Sequence, residues 1–137
     1  MKTFHLQIVT PDGQFFDGQA ERVIVRTNNG DVAIMAGHAN YVAVLGIGAA
    51  VVVTDSERRK AACMGGMLAV TNGEVRVIAT AFEWADQIDI ERAQKSENRA
   101  RAVLESKSSS DTDIRLAEAR LKRALVRKSV AASHKER

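Results

Sequence analysis

A chain of 137 residues suits one compact domain, or one smaller domain with an appendage, and 45% hydrophobic content with only 4% aromatics excludes disorder while calling for an aliphatic core. The single cysteine, Cys63, excludes an internal disulfide, and no Cys/His cluster has metal-ligand spacing, so a reducing compartment and a chain without zinc are expected. Formal charge is +3, but residues 1 to 87 hold 7 Lys and Arg against 9 Asp and Glu, and residues 88 to 137 hold 13 against 8, so the basicity belongs to the tail. That asymmetry points to an anionic partner of the tail: a nucleotide, an acidic protein surface, nucleic acid or a membrane. Met1 to Gln7 contain no apolar signal core, and the longest apolar run, Tyr41 to Val53, is broken by glycines and shorter than the ~18 residues of a membrane span. A soluble, cytoplasmic protein without direct membrane insertion is therefore expected.

All nine glycines and the only proline, Pro11, lie at or before Gly73. Up to Thr80 the chain shows short apolar, β-branched runs: Phe4 to Val9, Arg22 to Thr27, Val42 to Leu45, Ala49 to Thr54, Lys60 to Met64, Met67 to Thr71 and Glu74 to Thr80. Turns are supplied by Thr10-Pro11-Asp12-Gly13 and Asn28-Asn29-Gly30, and Asn72-Gly73 is a two-residue hairpin signal because both central positions need positive φ. Gly65-Gly66 reads as a bulge or tight turn, since no Gly-Lys phosphate loop follows it. The pattern predicts an antiparallel β-sandwich over residues 1–85.

After Trp84 the period changes to that of helices. Asp89 is placed to cap a helix whose first turn contains Glu91. Ile90, Ala93, Glu97, Ala100 and Leu104 form its apolar stripe, interrupted by one charge. Ser106 to Ser110 break the pattern, Asp111 or Asp113 offers a second cap, and Ile114, Ala117, Leu121, Ala124 and Leu125 mark a second helix to about Ala132. Residues 86–137 are thus expected to form an antiparallel two-helix hairpin, marginally held because its stripes are mostly Ala and Leu.

Arg92, Lys95 and Arg99 share one face of the first helix, and Arg120, Arg123 and Arg127 one face of the second. Such faces are commonly solvated, but together their guanidinium groups suit the spread charge of a triphosphate. His38 lacks a local carboxylate or nucleophile partner, and no Ser/His/Asp or Cys/His arrangement stands out. No catalytic residue is assigned. A basic hairpin gripping nucleic acid is the alternative, weakened by the absence of aromatic residues beyond Trp84.

Four ordered motifs resemble those of the epsilon subunit of bacterial F-type ATP synthase. They are Leu6 to Gly13, Gly30 to Ala39 with Gly37-His38-Ala39, Gly65 to Val70, and Ile88-Asp89-Ile90-Glu91-Arg92-Ala93, followed by Leu121-Lys122-Arg123-Ala124 and Arg127. The chain departs from the family at Ala33, Ala36 and Asn40, where glycine and two prolines are usual, and in Phe82 and Trp84 around Glu83. The resemblance implies an N-terminal sandwich, a C-terminal helical hairpin, and a non-catalytic subunit of the proton-translocating central stalk. It implies contacts of the Asp31 loop with the membrane-embedded c-ring and of the His38 segment with the gamma subunit. The hairpin, when extended, would reach the alpha/beta catalytic head and inhibit ATP hydrolysis. No cofactor is required, and ATP is implied as a regulatory ligand at Ile88, Asp89, Arg92, Ala93, Arg123 and Arg127, with Glu83 and Arg99 as further positions. The implied location is the cytoplasmic face of the cell membrane, as a peripheral protein without nucleic acid as a partner.

Overall fold

The computed structural model describes residues 2–134 of the chain. It divides between Trp84 and Ala85 into two compact units. The first contains β1 (Phe4–Thr10), β2 (Gly13–Ala20), β3 (Arg22–Thr27), β4 (Gly30–Met35), β5 (Tyr41–Val53), β6 (Arg58–Thr71), β7 (Glu74–Ala79) and β8 (Phe82–Trp84). The second contains a short 3-10 turn, Ala85–Gln87, then α1 (Ile90–Glu105) and α2 (Asp111–His134).

The strands lie in the order β2-β1-β7-β6-β5-β3-β4, with β8 also on β6. Neighbours are antiparallel except β1 and β7, which run parallel with Ile8 opposite Val77. Two long strands serve both layers of the sandwich. β6 pairs with β8 through Ala61 to Cys63 and with β7 through Gly66 to Thr71. β5 pairs with β6 along nearly its whole length, yet meets β3 at Val51 to Val53 and again at Leu45 only after a shift in register. One layer is therefore β2-β1-β7-β6-β5, and the other β8-β6-β5-β3-β4. Strands that pass from sheet to sheet are how such corners are made. Leu6, Ile8, Leu68 and Val77 of the first layer meet Val23, Val25, Ile34 and Val52 of the second in one core.

The sequence runs at Val42 to Leu45 and Ala49 to Thr54 are thus parts of one strand, as are those at Lys60 to Met64 and Met67 to Thr71. Gly65-Gly66 is not a turn between strands: it is the corner inside β6, where the ladder to β5 skips Gly46 and Gly65. There Met64 N–H donates to Ala81 O at 2.9 Å, and Thr80 N–H donates to Gly65 O at 3.0 Å, so the bend leaves these backbone groups satisfied. Asn72 (φ 50°) and Gly73 (φ 84°) make the expected hairpin turn between β6 and β7.

Four of the six aromatic residues, Phe15, Phe16, Phe82 and Trp84, gather where β2 meets β8. A register shift opposite Ile8 and Val9 leaves Phe15 as an extra residue of β2. Such a bulge lets two consecutive side chains turn to one side. Phe15 then lies 5.1 Å from Phe82 and 5.3 Å from Trp84, and Phe16 lies 6.3 Å from Trp84, centroid to centroid. The Arg59 guanidinium stacks 3.9 Å from the centre of the Trp84 ring.

In the second unit Asp89 caps α1, its Oδ1 accepting from Arg92 N–H at 3.0 Å. The cap of α2 is Ser110 rather than Asp111 or Asp113. Its Oγ accepts from Asp113 N–H at 3.1 Å while Asp113 Oδ2 accepts from Ser110 N–H at 3.3 Å, a reciprocal box that satisfies two otherwise unpaired donors. Ala93 and Ala100 of α1 and Ala117 and Ala124 of α2 are buried, as their periodicity predicts. Ile90 and Leu125, placed on the same stripes, are 41% exposed instead. Ile90 opens the first turn of α1, where the chain is only entering the helix.

Candidate functional site

The outer face of the first layer carries a row of apolar side chains. Cross-strand partners point to the same face of a sheet, and Val9 on β1 is opposite Ile78 on β7, Ile78 opposite Met67 on β6, and Met67 opposite Val44 on β5. Val44 is 57% exposed, Ile78 48% and Met67 47%, with Val42 beside them at 63%. Four strands thus present a continuous apolar stripe, the kind of surface that marks an interaction site. In the sequence these residues read only as strand formers. The available signal was the succession Met67-Leu68 and Val77-Ile78, since adjacent apolar residues in a strand make both faces apolar.

Beyond the stripe the same face becomes polar. Arg76 donates to Gln7 Oε1 at 3.2 Å, and a groove is lined there by Gln7, Ala69, Thr71, Glu74, Val75 and Arg76. His5 lies between two carboxylates, with Nε2 2.6 Å from Asp17 Oδ1 and Nδ1 2.6 Å from Glu74 Oε2. Hydrogen bonding to Asp17 and then to Glu74 raises the imidazole pKa above 6.5, and the bond to His5 lowers that of Asp17.

Asp31 stands on the edge strand β4, not in a loop as expected, and faces Arg26 across β3, whose Nε donates to its Oδ1 at 2.6 Å. The nearest loop is the turn Asn28-Asn29 between them. His38 follows the turn at Gly37 (φ 82°); its Nδ1 meets Ala39 O at 2.7 Å and its ring lies 5.7 Å from that of Tyr41. With Nδ1 engaged by a carbonyl, Nδ1 carries the proton, and no carboxylate bonds the ring among the described residues.

On the hairpin, Asp89, Arg92, Ala93, Arg99, Arg123 and Arg127 all belong to the second unit, while Glu83 belongs to β8 of the first. Ala93 and Ile88 are buried and serve packing, whereas Arg92 and Arg99 are exposed and Arg123 and Arg127 half-buried. Arg92 and Arg99 each precede an inward alanine by one residue, Arg123 precedes Ala124, and Arg127 precedes Lys128, which reaches α1 through Glu97. In antiparallel helices, residues offset in the same rotational sense from facing stripes fall on the same side. The hairpin therefore gathers all four arginines along one flank. Glu97, read in the sequence as an interruption of the stripe, is buried at 8% exposure and bonded to Lys128 Nζ at 2.6 Å and Arg101 Nε at 2.9 Å.

No cluster of three or more His, Cys, Asp or Glu suited to a metal ion occurs among the described residues, and no helix there is long and apolar enough to cross a membrane. Cys63 is buried, and that desolvation pushes its thiol up to about 11.

Comparison with known proteins follows the same division. Residues 3–85 match the model of the ATP synthase delta/epsilon chain β-sandwich domain, and residues 86–132 that of the ATP synthase delta/epsilon chain long α-helix domain. The chain is 46% identical over 131 residues to the ATP synthase epsilon chain of Bacillus velezensis, spanning 96% of this chain and 98% of that one. It is 41% identical over 132 residues to the ATP synthase epsilon chain of Ruminococcus albus, spanning 96% and 98%. Its fold is similar to a chain in the cryo-EM structure of Euglena gracilis mitochondrial ATP synthase, with a TM-score of 0.80 at 24% identity, over 96% of this chain and 82% of that one. The sandwich, the hairpin and the full-length likeness to bacterial epsilon chains together establish that the chain belongs to the ATP synthase delta/epsilon family.

Proposed function

We propose that this chain is a non-catalytic epsilon subunit of the central stalk of a proton-translocating F-type ATP synthase, docked on the gamma subunit through the outer face of the first layer. The observation that carries this reading is the stripe Val44, Met67 and Ile78, with Val42 beside it. A solvated face of an antiparallel sheet is ordinarily polar, so exposed apolar residues in cross-strand register suit a standing partner. The segment around His38 precedes β5 and would extend the contact. The turn before Asp31 would rest on the polar loops of the c-ring, which places the protein peripherally at the cytoplasmic face of the cell membrane. Co-purification with recombinant gamma subunit tests the reading. Binding that Met67→Asp plus Ile78→Asp abolishes is expected, and failure of the unaltered chain to bind gamma would overturn it.

The hairpin would act as the regulator of this subunit, folded on itself or extended toward the alpha/beta catalytic head to inhibit ATP hydrolysis. A second, ligand-level reading is favoured by the shared arginine flank. Arg92 with Arg123 and Arg127, helped by Arg99, would hold the phosphates of ATP, and ATP would thereby favour the folded hairpin by population shift. Calorimetry with ATP on the full chain tests it. Loss of heat in Arg92→Ala and Arg123→Ala is expected, and undiminished affinity in both would remove this site.

A further inference from the structure

We propose that Glu97 and Lys128 form a built-in latch that holds α2 against α1 without any ligand. The two residues are 31 positions apart in sequence and come from opposite arms of the hairpin, with Glu97 Oε1 2.6 Å from Lys128 Nζ. Glu97 is the only charged side chain buried among the described residues, and on α1 it lies between the buried alanines Ala93 and Ala100. Its second oxygen accepts from Arg101 Nε at 2.9 Å, one turn further along α1. Gln94 Nε2 stands 3.5 Å from Oε1, so both carboxylate oxygens are occupied.

A buried carboxylate satisfied in this way has two consequences. Separating the helices would remove Lys128 and leave Glu97 with only Arg101 and Gln94 of its own helix, so the closed state depends on both arms at once. The bond also has direction and fixed reach, unlike Ala-on-Ala packing, which slides at little cost. It therefore fixes the register of α2 on α1, as a single polar position does in coiled coils. Small side chains make the hairpin weakly held by packing, and the latch makes its closed form a discrete state.

The inference concerns the hairpin alone and depends on neither gamma nor ATP. Spin labels at Glu91 and Ser129, both exposed, in the full chain carrying Cys63→Ser, report the distance between the arms. The unaltered latch is expected to give one short distance. Glu97→Lys and Lys128→Glu should each raise the long-distance population by about tenfold, a mid-range coupling for residues joined by a shared bridge. The double variant should restore the short distance, which a loss of shape or volume would not allow. Glu97→Gln, which keeps the side chain's size, is expected to open the hairpin partly and to remove the salt dependence of the distance distribution. Trp84 emission in each variant verifies that the sandwich remains folded. Single variants that stay closed with the sandwich intact would overturn the proposal, as would a double variant that stays open. If the charge-reversed singles do not fold, a Glu97→Gln hairpin as closed and as salt-dependent as the parent overturns it equally.

Discussion

His5 Nε2 lies 2.6 Å from Asp17 Oδ1, joining β1 to β2 across the polar end of the outer face, while Nδ1 of the same ring reaches Glu74 on β7. Two acceptors can both be satisfied only by an imidazolium, which donates from both nitrogens. The histidine pKa is therefore raised above 6.5 by Asp17 first and Glu74 second, and that of Asp17 is lowered below 3.8. A raised histidine value contributes stability fully below the unfolded value, lost as pH rises through the folded one. A lowered aspartate value contributes above its unfolded value, lost as pH falls through the folded one. The pair thus works best between 3.8 and 6.5. The melting temperature of wild type minus that of His5→Gln should be larger at mildly acidic pH than in alkaline buffer. Imidazole resonances should titrate above 6.5 and fall toward it in Asp17→Asn. A histidine titrating below its ordinary value would contradict the arrangement.

The aromatic cluster concentrates packing at one end of the first unit. Phe82 is 4% exposed, packs edge-on against Phe15 at 5.1 Å, and meets Trp84 nearly perpendicular at 5.6 Å. Phe82→Ala would remove both ring contacts at the junction of β2 and β8 and should cost about 3–5 kcal/mol. Urea unfolding followed by Trp84 fluorescence measures it directly. Phe15→Leu, which keeps apolar volume at a half-buried position, should cost less than about 1.5 kcal/mol.

Much of this architecture was legible in residue order, and the failures have physical causes. Asn72-Gly73 and Asp89 announce a hairpin and a helix start through local chemistry that no partner is needed to interpret. Gly65-Gly66 reads as a bulge or tight turn because local chemistry cannot distinguish a chain that reverses from one that bends between layers. The parallel pairing of β1 with β7 joins residues nearly seventy positions apart, beyond any local signal. Ser110 is hidden as a cap by its aspartate neighbours, because Asp113 is acidic for a different reason: it reaches back to the cap. Glu97 reads as a flaw in an apolar stripe until Lys128 is seen opposite it. The exposed stripe at Met67 and Ile78 was hidden for a similar reason: apolar residues on both parities read simply as a strong strand.

Gly66 tests the corner. A Cβ at this position would stand 2.0 Å from Ile78 O and 2.9 Å from Ala79 Cα, both backbone atoms, at a φ of 138° that favours glycine. Gly66→Ala should therefore destabilise by more than about 2 kcal/mol, beyond left-handed strain alone, because β7 must also move. Gly13, with φ 115° and no atom within 4 Å of an added methyl, isolates the strain. Gly13→Ala should cost only about 1 kcal/mol or somewhat more. Equal losses in the two variants, measured by chemical unfolding, would show that the close approach to β7 carries no weight.

The buried thiol of Cys63 predicts an inert residue. Desolvation pushes it up to about 11, and its Sγ lies only 3.9 Å from Gly65 O, a weak contact. At pH 8 the thiolate fraction should be on the order of one in a thousand, and thiol reagents should label the chain only as fast as it opens. Labelling in native buffer should therefore be slow and accelerate sharply through the unfolding transition. Rapid stoichiometric labelling of the native protein would contradict the burial.

Asp89 separates capping from ligand contact. Its Oδ1 already accepts from Arg92 N–H at 3.0 Å, so its carboxylate fixes the first turn of α1 and with it the base of the Arg92 side chain. A carboxylate aimed at phosphates would repel them, which favours an indirect, positioning role in the proposed ATP site. Asn caps as well as Asp does, whereas Ala does not, and loss of the cap costs about 1 kcal/mol. Asp89→Asn should keep both the hairpin's helicity and its ATP affinity, while Asp89→Ala should lower both. Arg92→Ala should lower affinity by about tenfold or more with helicity unchanged, since a charge-assisted hydrogen bond is removed without touching the cap. Circular dichroism and calorimetry on the same samples distinguish the outcomes. An Asp89→Asn chain that stays helical but loses ATP would place the carboxylate on the ligand itself, because the cap would then be intact while binding is gone.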